Sequence, residues 1–220
     1  LSLLALGTRN AGRCIGNVRR RTVGRYLLSF TACPMRRPES VILARAYLDC
    51  DSWDEVRRQC LEDDILMLRF ESSRKRISSE LIKRIKTLSD VELASLAHND
   101  ETAAQTALCW IAISRTYEFI RDFVEQVVAA RWEQGKGNLP IGAYEAFYEE
   151  ASATHPELEK LAEATRPRLR NQLFQMLREA GFIDQEFNLH AYVLPIGARD
   201  FVGSEEEPYF PTLVRSSSAS

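Results

Sequence analysis

Residues 101–132 read ETAAQTALCWIAISRTYEFIRDFVEQVVAARW, thirty-two positions without a glycine or a proline. Leu108, Ile111, Tyr117, Ile120, Phe123, Val124, Val127 and Val128 recur through it at intervals of three and four, the period of a helix that buries one side. At a rise of about 1.5 Å per residue the stretch spans about 45 Å, so it predicts either one long spine or a helix pair broken near Ser114. Gly135 and Gly137 end it.

Working outward, the flanking segments carry helix punctuation of their own. Pro38 followed by Glu39 predicts a helix start, with Val41, Leu43, Ala44, Tyr47 and Leu48 on its buried face. Ser52 with Glu55 is the pattern of a capping box opening a helix to about Asp63. Ser72 or Ser73 is a candidate cap for a helix to about Lys86, and Ser89 or Asp90 for another to about His98. On the far side, Pro140 to Ala153 and Glu157 to Ala164 read as helices. Thr165 is the expected cap of a longer one that tolerates Pro167 in its first turn and stops at Gly181. Phe187, Leu189, Ala191 and Val193 alternate with a period of two, the one expected strand. The expected fold is therefore mainly α: two helical subdomains with helix-turn-helix-like units and a small wing-like β element near the C-terminus. The expected divisions are a basic extension over 1–25, an N-terminal subdomain over 26–98, a connecting helix or helix pair over 99–135, a winged-helix-like subdomain over 136–203 and a loop-like tail over 204–220.

The chain has 220 residues, of which 45% are hydrophobic and 27% charged, values of an ordinary globular protein. Its longest uncharged apolar stretch near a terminus, Leu1 to Leu6, is far short of a membrane helix and lacks the preceding basic residues of a secretory signal. Five cysteines, an odd number never spaced C-x-x-C, suggest neither a disulfide framework nor a zinc knuckle and suit a reducing cytoplasm. The first residue is Leu where Met is expected, so the first fifteen or so residues carry little weight as a structural element.

The formal net charge of −2 argues against coating nucleic acid by bulk attraction, yet it conceals a separation along the chain. Residues 1–38 hold eight arginines and no acid, and residues 69–86 hold seven cations against Glu71 and Glu80. Arg166, Arg168 and Arg170 form a third concentration, with Arg178 two turns on, while acids dominate 49–64 and 145–163. Alternating charge blocks often do no more than keep helices solvated. On a helical wheel, however, Ile77, Leu81, Ile85 and Leu88 share one face, and Arg76, Ser79, Lys83 and Lys86 the other. Arg74, Lys75 and Arg76, placed in the first turn, would oppose the helix dipole unless phosphates docked there. The helix after Thr165 repeats the arrangement: Leu169, Leu173, Met176, Leu177 and Ala180 face inward, and Arg168, Asn171, Gln175 and Arg178 outward. Arg, Asn and Gln are the side chains able to pair bidentately with guanine and adenine edges. With a short helix before it and a strand after it, the unit has the order of a helix-turn-helix with a wing.

Catalytic chemistry is not legible. His98, His155 and His190 stand in unrelated contexts, no phosphate-binding glycine loop occurs, and Cys109 beside Trp110 reads as core. No enzyme, cofactor or metal site is expected.

Arg37-Pro38-Glu39-Ser40 through Arg45-Ala46-Tyr47-Leu48, Trp53-Asp54-Glu55-Val56, Phe70 to Leu88 with Ser72-Ser73-Arg74-Lys75-Arg76, and Thr165-Arg166 through Leu177-Arg178-Glu179-Ala180-Gly181 together resemble the BrxA proteins of bacterial BREX phage-defence systems. The resemblance runs from Tyr26 to Val193. It implies a small, mainly helical, non-enzymatic protein that binds DNA and acts with other BREX proteins, and the basic helix faces make double-stranded DNA the expected ligand. It also implies a likeness to NusB-type RNA-binding bundles, which keeps RNA open as a ligand. The expected contacts are Arg74, Lys75, Arg76, Ser79, Lys83 and Lys86 on one helix and Arg166, Arg168, Asn171, Gln175 and Arg178 on the other. A protein-interaction adaptor within the defence complex is the competing expectation, and no membrane association is expected.

Overall fold

The computed structural model describes residues 24–214; the arginines at positions 9, 13 and 19–21 lie outside the described residues. Among the described residues ten α-helices follow one another: α1 (Arg37–Cys50), α2 (Trp53–Arg58), α3 (Glu71–Ile85), α4 (Asp90–His98), α5 (Thr102–Thr116), α6 (Glu118–Phe123), α7 (Ala130–Glu133), α8 (Ile141–Ser152), α9 (Pro156–Glu159) and α10 (Thr165–Ala180). Turns of π-helix extend α2 over Gln59–Asp63 and join α6 to α7 over Val124–Ala129. The mainly helical class follows from the three-and-four spacing of apolar residues.

α5 is the axis of the fold because it is apolar almost all round. Leu108, Trp110, Ile111 and Ile113 are buried, and α1, α3, α4 and α10 all pack against it. The long segment breaks, but at Tyr117 rather than near Ser114. Tyr117 leaves the helical region at φ −118°, ψ 98°, with no Gly or Pro to cause it. The cause is tertiary. The fully buried Tyr117 hydroxyl donates to Glu80 Oε1 and accepts from Arg84 Nε at 2.9 Å, and both partners lie on α3. Arg84 also donates to Pro34 O at 2.6 Å and Cys33 O at 2.8 Å, so one guanidinium fastens the segment before α1 to α3 and to the α5–α6 junction.

Beyond the break, α6 joins α8 through rings. Phe119 and Phe123 pack edge-on against Phe147 at 5.4 and 5.3 Å, and Tyr26 lies against both Phe119 and His155. His155 is thus a buried loop residue, stacked 3.6 Å from Tyr26 and bonded through Nδ1 to Glu157. Cys109 is core as expected, and burial pushes its thiol up to about 12.

The helix ends keep only some of the expected caps. Ser89 and Glu92 form a complete capping box, whereas Ser52 accepts from Glu55 N–H and the Glu55 carboxylate turns to Arg58 instead. α3 begins at Glu71 behind Phe70, without a serine cap, and α10 begins at Thr165 without a side-chain cap. Gly181 ends α10 at φ +87°, a left-handed position suited to glycine. The expected strand is not formed among the described residues. Phe187 sits at φ +64°, in a turn where Asp184 accepts from the N–H groups of Glu186 and Asn188. The chain beyond makes isolated bridges to successive partners: Asn188 to Asn138, Leu189 to Ile183 and Tyr192 to Leu213. No one neighbour runs alongside long enough for a ladder, so the wing-like element is three bridges, with Val193 left exposed.

Residues 204–214, read as loop, are irregular but anchored. Phe210 and Thr212 are buried, Trp110 Nε1 donates to Tyr209 O at 2.6 Å, and Glu206 accepts from Arg115 at 3.0 Å. Arg115 also grips Glu92 with both terminal nitrogens, at 2.8 and 2.9 Å.

Tyr117→Phe removes the hydroxyl that links Arg84 to Glu80 and should cost about 1–3 kcal/mol in urea denaturation. Burial raises the Glu92 carboxyl, but the Arg115 and Ser89 hydrogen bonds outweigh it and hold the group below the usual range. A lowered folded pKa stabilises above the unfolded value and is lost as pH falls through the folded one. The stability difference between the native chain and Glu92→Gln should therefore be largest near neutrality and shrink below about pH 4; a difference that persists in acid would contradict this assignment.

Candidate nucleic-acid interface

The two expected contact helices differ in how much of their charge is already spent within the fold. On α3, Ile77, Leu81, Ile82 and Ile85 are buried and hold the helix on α5, while Lys75, Arg76, Ser79 and Lys86 are exposed. Lys75 and Arg76 have no carboxylate partner among the described residues, and Lys86 lies over the Trp53 ring at 5.8 Å. From Arg76 to Lys86 the exposed face spans about 15 Å of helix axis.

Three other cations of this segment are engaged. Arg74 Nε lies 3.8 Å from Asp64 and its NH1 donates to Leu61 O, so it ties α3 to the preceding loop. Lys83 Nζ donates to Glu80 Oε2 at 2.8 Å and to Ser29 Oγ at 2.9 Å. Ser29 in turn donates to Glu80 Oε1, which makes Lys83 the outer member of the buried group around Tyr117 and Arg84. Arg84 itself is only 2% exposed. Its place could be read from spacing: positions 77, 81, 84 and 88 recur at intervals of three and four on the apolar face, and a cation there must be buried with partners.

The start of α3 changes the dipole argument. With Glu71 first, an acid occupies the positive helix end, and Arg74, Lys75 and Arg76 fall one turn further in. Their positions are not opposed by the dipole as expected, so no phosphate is required to explain them.

On α10, Leu169, Leu173, Met176 and Leu177 are buried as expected. Arg166 is not free. Its NH2 lies 2.5 Å from Glu145 and 3.4 Å from Glu149, and its guanidinium covers the Tyr148 ring at 4.4 Å. Arg170 NH1 meets Glu145 at 3.3 Å, and Arg170 also donates to Asn171 Oδ1. Gln175 Nε2 donates to Glu179 Oε1, and Arg178 lies over Phe187 at 5.8 Å. Arg168 is exposed with no carboxylate partner among the described residues. The acidic stretch on α8 thus neutralises much of the basic concentration on α10, a pairing across seventeen or more residues that no local count displays. α9, the short helix ahead of it, is a single turn packed on α8.

Segment 26–35 touches both helices. Ser29 meets Lys83 and Glu80 on α3, and Met35 N–H donates to Glu179 Oε2 on α10 at 2.8 Å. Among the described residues no group of three or more His, Cys, Asp or Glu is arranged to hold a metal ion, and no helix is long and apolar enough to cross a membrane.

Comparison with known proteins places this arrangement in a wider setting. The sequence model of the family described as BrxA matches residues 24–205. A BREX protein BrxA from Escherichia coli O9:H4 (strain HS) is 27% identical over 168 residues, covering 74% of this chain and 77% of that one. A second BREX protein BrxA, from Bacillus cereus (strain H3081.97), is 22% identical over 132 residues, 60% of this chain and 66% of its own length. The crystal structure of an uncharacterized protein from Magnetospirillum magneticum shares the fold, with a TM-score of 0.73 at 21% identity over 85% of this chain and 96% of that one.

The two classes of lysine and arginine should separate by stability. Lys83→Glu sets a second carboxylate against Glu80 and should lower the melting temperature by several degrees, at roughly 2–4 °C per kcal/mol for a chain of this size. Lys75→Glu and Arg76→Glu should leave it within about 1 °C, since exposed substitutions typically change stability by under about 0.5 kcal/mol. Equal losses from all three would remove the distinction.

Proposed function

The chain belongs to the BrxA family, and from that premise we propose that it is a non-enzymatic component of a BREX phage-defence system, acting in the cytoplasm beside other BREX proteins and binding double-stranded DNA. The observation that carries the DNA reading is the outer face of α3, where Lys75, Arg76 and Lys86 stand exposed around Ser79 with no carboxylate against them among the described residues. The buried side of the same helix is fixed by Arg84 and Glu80, so the cations sit on a rigid support. Cations held in this way suit backbone phosphates, whose contacts position a protein on a duplex without reading its sequence. The main contacts are placed on α3; α10 adds Arg168, because its Arg166 and Arg170 are bound to Glu145.

The test is a titration of labelled duplex DNA at several salt concentrations, comparing the native chain with Lys75→Glu/Arg76→Glu/Lys86→Glu. The triple variant should lose at least about tenfold in affinity at low salt. Its plot of log affinity against log salt should be shallower by about 2–3, since each neutralised phosphate contributes about 0.9. Native affinity in the triple variant would overturn the assignment. A flat salt response of the native chain would favour the adaptor reading, and single-stranded or duplex RNA that outcompetes duplex DNA would favour RNA, since a helix face fits the B-form major groove and not the deep, narrow A-form one.

A further inference from the structure

The segment that leads into α3, Asp64 to Phe70, holds two left-handed residues within four positions. Its sequence, Asp-Ile-Leu-Met-Leu-Arg-Phe, is apolar enough to belong inside, and part of it does: Leu66 is buried, and Ile65 and Leu68 pack against the core. The remaining apolar members point outward. Met67 is 89% exposed and Phe70 59%, and Met67 is the most exposed large hydrophobic side chain among the described residues.

The exposure is imposed by specific bonds. Asp64 and Met67 both occupy the left-handed region, at φ +50° and +53°, which β-carbon-bearing residues seldom adopt. Asp64 holds the turn by accepting Met67 N–H on its carbonyl at 2.8 Å and Leu68 N–H on its carboxylate at 3.0 Å. Arg74, reaching back from α3 toward Asp64 and Leu61, fixes the turn to the helix. A left-handed backbone thus holds a methionine in water, the kind of arrangement found where strain serves a ligand.

The chemistry around the tip indicates the ligand. Arg69 lies over the Phe70 ring at 5.2 Å, and Lys75 and Arg76 follow within two turns on α3. Met67 and Phe70, three residues apart, are thus both exposed beside the exposed cations Arg69, Lys75 and Arg76, with Glu71 the acid that follows Phe70. This arrangement matches a stacked base step between two phosphate backbones. Proteins that kink duplex DNA use such pairs, a Phe, Met or Leu wedged between bases beside Lys and Arg on the backbone.

We propose that Met67 and Phe70 form a wedge that enters a base step of duplex DNA, unstacks it and bends the duplex toward α3. The proposal rests on the DNA-binding reading of α3 and adds a mode of engagement that phosphate contacts alone do not imply. Flexible T–A steps, the easiest to unstack, are the favoured points of entry.

The experiment uses the full chain and a short duplex carrying 2-aminopurine at its T–A steps, with a donor and an acceptor dye at its ends. Binding is followed by anisotropy in the same samples. The native chain should raise 2-aminopurine fluorescence at least twofold and increase energy transfer between the ends. Met67→Gly, which suits the positive φ, and Phe70→Ala should each remove most of both signals, and Phe70→Leu should restore them. All three variants should keep affinity at low salt within about tenfold, because the phosphate contacts remain. Binding by the native chain without either optical change, or Met67→Gly and Phe70→Ala variants that bend the duplex as the native chain does, overturns the wedge while leaving the DNA reading intact. No binding by the native chain overturns the DNA reading, and the wedge falls with it.

Discussion

A guanidinium enclosed by protein must have its donors met where they stand, because the cost of an unpaired buried charge exceeds that of most single packing defects. Arg84 meets this demand through two backbone carbonyls before α1 and the Tyr117 hydroxyl, with Glu80 completing the charge balance beyond the tyrosine. The positions of these groups then fix much else. The segment 29–35 is held across α3, α5 ends where Tyr117 turns inward, and α6 starts at a new angle toward α8. The register of α3 about its own axis follows too: with residues 80, 81, 84 and 85 inward, residues 75, 76, 79 and 86 have nowhere to go but outward. The free cationic face is the geometric complement of the buried ionic one.

A second clasp does similar work further along. Arg115 near the end of α5 grips the Glu92 carboxylate that also caps α4, and reaches Glu206 in the irregular segment after Gly203. With Trp110 donating to Tyr209, this draws the last described residues onto the axis helix. Both clasps join distant segments to α5, so the helices read as N-terminal and C-terminal groups share one axis.

How much of this the sequence displays depends on whether the cause is local or distant. Helix positions were legible because apolar spacing and caps act within a few residues, as at Ser89 with Glu92 and at Gly181. The break at Tyr117 was not, because its cause lies on α3, and the strand at Phe187–Val193 was misread because Asp184 turns the chain before the alternation can be used. For the candidate site the same rule divides the residues. Arg76, Ser79 and Lys86 were placed on the exposed face correctly, since a helical wheel needs only local spacing. Lys83, Arg74 and Arg166 looked equally free, and their partners Glu80, Asp64 and Glu145 are identified only once the fold brings them near.

The near-neutral total charge acquires a definite meaning from these pairings. Arg58, Arg74, Lys83, Arg115, Arg166 and Arg170 are among the cations paired with carboxylates, and the exposed ones on α3 are few. On the proposed DNA reading, a protein that holds a duplex through so few phosphates cannot rely on counterion release, whose contribution falls steeply as salt rises. To remain bound at physiological ionic strength it needs contacts that salt does not screen. Apolar side chains inserted between bases are of that kind, and an exposed methionine and phenylalanine stand beside the free cations. On the proposed DNA reading, charge economy on α3 and apolar exposure in the loop before it are two parts of one requirement.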